Sequence, residues 1–213
     1  MHIVKVQRTR AVWLFDTEEL NPRGRSIIPD LFDQLIKRYR FRQYPKVDEL
    51  SGNTKFREGR FILRDRSPIE VALEMYGDGL IVETRHSTHA CDEFLGELVL
   101  WISMAHGIQR EISPRRRSYI SELIVEANFD ISKALEPLRS FTDEISKIVG
   151  VEQVPTGMYW GIESRLVMFS IERRVDEPFA ANRYFSTAAL PTDQHIAALD
   201  AFERMYGQLV EAS

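Results

Sequence analysis

The strongest constraint on what this chain can fold into is a repeated order of hydropathy patterns, one half after the other. In the first half, Ala11-Val12-Trp13-Leu14-Phe15 is a short β-branched and aromatic run closed by the turn chemistry of Asn21-Pro22-Arg23-Gly24, and reads as a strand. Ile28, Leu31, Phe32, Leu35, Ile36 and Tyr39 then recur at three- and four-residue steps and predict a helix ending before Pro45, with Pro29 tolerated in its first turn. After a polar loop at Ser51-Gly52-Asn53, strands are expected over Phe56 to Leu63, over Ile69 to Met75 and, past Tyr76-Gly77-Asp78-Gly79, up to Arg85. Phe94, Leu95, Leu98, Val99, Ile102 and Ala105 mark a second helix, capped by Ser87 or Thr88 and stopped at Gly107.

The second half has the same order. Ser121 to Glu126 reads as a strand, and Leu135, Leu138, Phe141, Ile145 and Ile148 as a helical stripe closed by Gly150. Strands follow over Met158 to Glu163, Leu166 to Arg173 and Arg183 to Thr187. A last helix, entered through Pro191-Thr192-Asp193, carries Ile196, Leu199, Phe202 and Met205 on one face. The spacing of about a hundred residues predicts two β-α-β-β-β-α units, 1–107 and 119–213, packed as one domain and joined by a basic linker over 108–118 that holds Arg115-Arg116-Arg117.

One-faced sheets need a cover, and edge strands need a neighbour. The expected product is an internally duplicated α+β fold, with one curved, mostly antiparallel sheet and four helices on one face. In topology alone this resembles the TATA-binding-protein-like and helix-grip folds, although no motif of either family stands in the chain. The uncovered sheet face and the groove between the repeats are the expected working surfaces.

Charge narrows the function. The chain holds 28 Lys and Arg against 32 Asp and Glu, a net charge of -4, which argues against nonspecific nucleic-acid binding by the whole molecule. The distribution is uneven: Arg23 to Arg66 has twelve cations and six acids, a local balance of +6 that leaves -10 elsewhere. Within that stretch Arg38, Arg40, Arg42, Arg57, Arg60 and Arg64 interleave with Tyr39, Phe41 and Tyr44, a pattern able to meet phosphates and stack on bases of RNA or single-stranded DNA. The competing reading is that these arginines complement a helix C-terminus and pair at the sheet rim.

His86, His89 and Cys91 are a weak candidate metal or thiol site, with Asp92 or Glu93 to complete a shell. Their spacing matches no standard signature, and helix capping explains the same residues. Gly77-Asp78-Gly79 lies in a hairpin and lacks the third glycine of a dinucleotide site; no P-loop or paired-acid spacing is present. No cofactor is expected.

Met158-Tyr159-Trp160 sets large side chains on both faces of one strand, so that strand is either central and buried or presents an association surface. The expectation is a noncatalytic interaction protein, an oligomer or one partner of a complex, that binds a protein partner or itself through Tyr159, Trp160, Phe179 and Tyr184. RNA or single-stranded DNA binding and a metal or thiol enzyme are the alternatives. One cysteine, no leader pattern and no apolar run of the roughly 20 residues that span a bilayer point to the cytoplasm and away from the membrane.

Overall fold

A computed structural model describes residues 1–15, 28–45, 54–105, 113–131, 135, 138–162 and 165–211. The expected turns at Asn21–Gly24 and Ser51–Asn53, and residues 108–112 of the linker, lie outside them. The fold is α+β, with four helices and an eight-stranded antiparallel sheet. The elements are β1 (His2–Leu14), α1 (Ile28–Tyr39), β2 (Thr54–Ile62), β3 (Pro68–Tyr76), β4 (Gly79–Thr84) and α2 (Thr88–Ala105). Then come β5 (Arg116–Glu126), α3 (Arg139–Val149), β6 (Gly157–Ile162), β7 (Arg165–Arg173), β8 (Arg183–Ala188) and α4 (Thr192–Glu211). The strands hydrogen-bond in the order β2-β3-β4-β1-β5-β8-β7-β6. Among the described residues no helix is long and apolar enough to cross a membrane.

The chain divides into two compact units, Arg8–Ser121 and Met1–Gln7 with Glu122–Ser213. β1 runs 13 residues, and its first part, His2 to Gln7, groups with Glu122–Ser213. Its apolar residues, Ile3, Val4 and Val6, are broken by Lys5 and flanked by His2 and Gln7, too short a run to mark a strand by itself. The basic linker is shorter than expected, since Arg116 and Arg117 open β5.

In the Arg8–Ser121 unit, alternation puts one set of side chains inside. Ile69, Val71 and Leu73 of β3 are buried, as are Leu80 and Val82 of β4, and the register sets Leu73 opposite Val82. Ala11 and Trp13 of β1 continue the layer through their partners Val82 and Leu80. Leu35 and Tyr39 of α1, with Phe94, Leu95, Leu98 and Ile102 of α2, cover this face. Tyr39 is central: its ring meets Phe94 at 4.9 Å, Phe41 at 6.1 Å, Phe61 at 6.4 Å and Trp101 at 6.3 Å, all edge-on, each contact stabilising by about 0.5–1.5 kcal/mol beyond area burial. Its hydroxyl donates to the Glu97 carboxylate, which also takes Arg38. Burial, then that carboxylate, pushes the Tyr39 phenol well above its ordinary range.

The second unit builds its core from Leu123 and Val125 of β5, Ile171 of β7, Tyr184 of β8, and Leu199 and Phe202 of α4. Met205, expected on the buried face of α4, is 66% exposed; Tyr206 packs instead, 4.6 Å from the Phe202 ring at the i, i+4 spacing that shares a helix face. The larger departure is α3. Its apolar stripe predicted a core helix, yet none of its residues is buried.

His195 of α4 is fully buried against β8, where its Nε2 lies 2.8 Å from Ser186 Oγ. That hydroxyl donates its one proton to the Ser170 carbonyl, 2.8 Å away, so His195 donates through Nε2. Burial lowers its pKa from 6.5 to about 4. Folding then excludes a proton that the unfolded chain binds, so this stability is complete above pH 6.5 and is lost as pH falls from 6.5 towards 4. Urea unfolding at pH 7.5 and 4.5 should show wild type losing about 2–3 kcal/mol more than His195→Gln across that interval.

Candidate functional site

The outer part of the second unit is where burial is least complete. β6 ends the strand order and pairs through Met158 opposite Ile171 and Trp160 opposite Phe169, with a bulge before Ile162. It is therefore an edge strand, not the central one that its two-sided apolarity allowed. Pairing puts Met158 and Trp160 on the core side, where the Trp160 ring lies 5.1 Å from Phe169 and 5.9 Å from Phe202. Tyr159 points to the other face, 59% exposed, and hydrogen-bonds Glu172; its slight burial and that bond raise its pKa.

The helix before this strand matches it. In α3 the partly buried positions are Thr142, Ile145 and Ser146, and Ser146 Oγ donates to the Thr142 carbonyl and accepts the Gln153 N–H. The helix is thus half-covered along Thr142, Ile145 and Ser146 only, to one side of the other stripe residues. Leu138, Phe141, Ile148 and Val149 are 50–79% exposed, and Val151 and Val154 continue the apolar run past the left-handed Gly150 cap. These six residues stand close in sequence and each leaves about half or more of its surface in water.

The predicted contact residues do not form one surface. Tyr184 is 2% exposed: its hydroxyl accepts from Arg173 at 2.8 Å and from the Ile131 N–H at 3.2 Å, while Arg173 pairs with Asp130 at 2.8 Å. It organises the core and leaves a partner nothing to touch. Phe179 opens a short 3-10 turn, Phe179–Ala181, and its side chain lies outside the described residues. Tyr159 and Trp160 face opposite ways. Sequence reasoning missed the better candidates, Leu138, Phe141 and Ile148, because helical spacing signals an apolar face and does not say whether anything covers it.

The open face of the Arg8–Ser121 unit is a ladder of compensated charges. Arg10 lies 3.4 Å from Glu83 and 3.7 Å from Glu74, Lys55 2.9 Å from Glu74, and Arg8 3.9 Å from Glu83. Burial tends to raise the pKa of Glu74, but bonds from Tyr76 and Lys55 and the nearby Arg10 outweigh it and hold the carboxyl below its ordinary range. A face neutralised in this way has little left for a polyanion.

The arginine segment sits at the rim of the same unit. Arg38 is paired with Glu97 and stacks 5.1 Å from the Trp101 ring. Arg40, Arg42, Arg57, Arg60 and Arg64 are exposed, and no carboxylate pairs with their side chains among the described residues. Arg38, Arg40 and Arg60 line one groove of about 460 Å³, and Arg42 and Arg60 an adjoining one of about 350 Å³.

The His86–Cys91 segment is a helix cap. Ser87 Oγ accepts the Ala90 N–H at 3.2 Å, which makes Ser87 the cap, and Thr88 is buried behind it. His86 and His89 are exposed, whereas Cys91 is fully buried with its Sγ 3.6 Å from Thr9 Oγ1. Asp92 accepts from Trp13 Nε1 at 2.7 Å and from the Tyr119 hydroxyl at 2.8 Å. Among the described residues no group of three or more His, Cys, Asp or Glu is placed to hold a metal ion. Of the residues expected as a metal or thiol site, the structure leaves His86 and His89 exposed and Cys91 in the core.

No protein-family model matches the chain, and no curated protein matches it. Among solved structures, one titled Methanococcus jannaschii TBP aligns with 97% of this chain and 98% of its own, at 14% identity and a TM-score of 0.41.

Burial pushes the Cys91 thiol up to about 12, so at neutral pH almost no thiolate is present. A disulfide reagent added at pH 8 should leave Cys91 unmodified in the native protein and titrate one thiol per chain in denaturant. Fast native labelling would restore the thiol reading.

Proposed function

We propose that this chain is a noncatalytic interaction domain that associates with a second copy of itself through α3 and the segment leading to β6. The observation that carries the reading is an amphipathic helix with no buried residue, whose apolar flank, from Leu138 to Ile148, is exposed. Water contact on that scale is costly, about 25 cal/mol for each Å² left uncovered.

A second copy fits for two reasons. The exposed apolar residues lie beside polar ones, the core-and-rim anatomy of an association surface. The stripe is also self-complementary. Two α3 helices laid antiparallel about the Glu144–Ile145 step set Phe141 against Ile148 of the second copy, and Leu138 against Val151 of the second copy. That reciprocity is what a two-fold interface requires. The exposed edge of β6 adds backbone donors and acceptors next in sequence to the same patch.

Sedimentation velocity over a hundredfold range of protein concentration tests this. Wild type should show a monomer–dimer equilibrium, and Phe141→Asp with Ile148→Asp should be monomeric throughout. Because neither residue is buried, the variant should keep its thermal midpoint at low concentration. A wild type that is monomeric at every concentration overturns the proposal.

A further inference from the structure

A second surface, on the other unit, has a different chemistry. At the C-terminal end of α1 the chain leaves the helix through Arg40 with φ 53, a left-handed conformation that is unfavourable for a non-glycine residue. It then runs beside the edge strand β2, joined by an isolated bridge between Gln43 and Arg57. The Arg57 N–H donates to the Gln43 carbonyl at 2.8 Å, and the Arg42 and Gln43 N–H groups both approach the Arg57 carbonyl at 3.3 Å. At that bridge β2 bulges between Phe56 and Gly59, and Glu58 also takes a positive φ, 55.

Two strained residues on facing segments need an anchor, and Phe41 is that anchor. Its ring is 3% exposed and lies over Gly59, where an added Cβ would fall 2.3 Å from it. With Phe41 pinned inward, its neighbours Arg40 and Arg42 are held outward, and the bulge re-aims the strand beside them. Strain maintained around exposed charged side chains is a mark of a preorganised site.

The groove these residues make is amphiphilic. Arg38, Arg40 and Arg60 stand around Phe61, Ile62 and Pro68, and Ile62 is 67% exposed. Arg60 and Pro68 also line the adjoining groove with Arg42, so the cations form a track instead of converging on one point. The acids near it are Glu97, held by Arg38 and Tyr39, Glu58, which accepts from Gln43 Nε2, and Glu70, whose backbone lies opposite Arg60 across the β2–β3 pair. Tyr44, 52% exposed, follows Gln43 at the end of the track.

We propose that this track binds single-stranded nucleic acid, with Arg40, Arg42 and Arg60 on successive phosphates and the apolar floor and Tyr44 against base faces. A spread of cations beside apolar surface suits a chain of repeating phosphates and flat rings. A single phosphorylated side chain would instead be met by arginines converging on one point.

Fluorescence anisotropy with labelled oligo(dT) and oligo(U) of about twelve nucleotides tests it, across salt from about 50 to 200 mM. Wild type should bind both, more weakly as salt rises. Arg40→Ala with Arg42→Ala should lower affinity at least tenfold and reduce the salt slope by about 1.4, the value for two lost phosphate contacts on a single strand. Lys55→Ala, which removes a cation already paired with Glu74, should leave binding unchanged.

Arg40→Gly separates binding from folding. Glycine relieves the left-handed strain, so this variant should melt at a higher temperature than wild type while binding less. Four results overturn the proposal: no anisotropy change at the lowest salt, an unchanged salt slope in the double variant, tighter binding of a duplex of equal length, or stronger competition by a phosphoserine peptide than by unlabelled oligonucleotide. Each readout is independent of self-association through α3, which the Phe141→Asp, Ile148→Asp variant removes.

Discussion

The packing of one ring, Tyr39, decides how the Arg8–Ser121 unit closes. It draws aromatic residues from the segment after α1, from β2 and from α2 around itself, and its hydroxyl and the Arg38 guanidinium share Glu97 of α2. A helix fixed at its last residue cannot roll, so α1 keeps its apolar face inward and delivers Arg40 and Arg42 to the rim. The corresponding helix of the other unit, α3, has no such ring. It is half-buried only at Thr142, Ile145 and Ser146, and the rest of its apolar stripe remains in water. The two units repeat an order of elements, and they differ in whether the first helix is bound down.

Charge separates the surfaces in a similar way. On the open face of β1 to β4, cross-strand pairing brings Arg10 to Glu83 and Lys55 to Glu74, and the balance there is close to neutral. Exposed pairs of this kind contribute little to stability, typically below about 1 kcal/mol each, but they cancel a field that would otherwise attract anions. Among the described residues Arg40, Arg42 and Arg60 have no such partners. The net charge of the chain, -4, conceals both facts, since it averages a compensated face with an uncompensated rim.

Much of the architecture was legible in the residues. Alternation at Ile69, Val71 and Leu73, the glycines around Asp78, and the helical steps from Phe94 to Ile102 each had one low-energy reading, and the structure adopts it. What stayed hidden depends on tertiary partners. Period alone cannot say whether the stripe at Phe141 and Ile148 meets a core, nor that Tyr184 turns inward to receive Arg173 while Trp160 and Tyr159 divide between two faces. The arginine segment was visible as composition. Its positive-φ residues, its bulge and the seat of Phe41 on Gly59 were not, because each arises where two distant stretches of chain meet.

The seal over Cys91 reaches beyond the question of chemistry at that residue. With Thr9 against its sulfur and the core on every other side, the molecule offers bulk solvent no native sulfhydryl among the described residues. Air oxidation therefore has no handle with which to crosslink copies, and any multimer seen without reductant is noncovalent. A fluorophore-bearing cysteine introduced beside Tyr44 or along α3 would be the sole labelled point, so distances could be measured on an otherwise unaltered background.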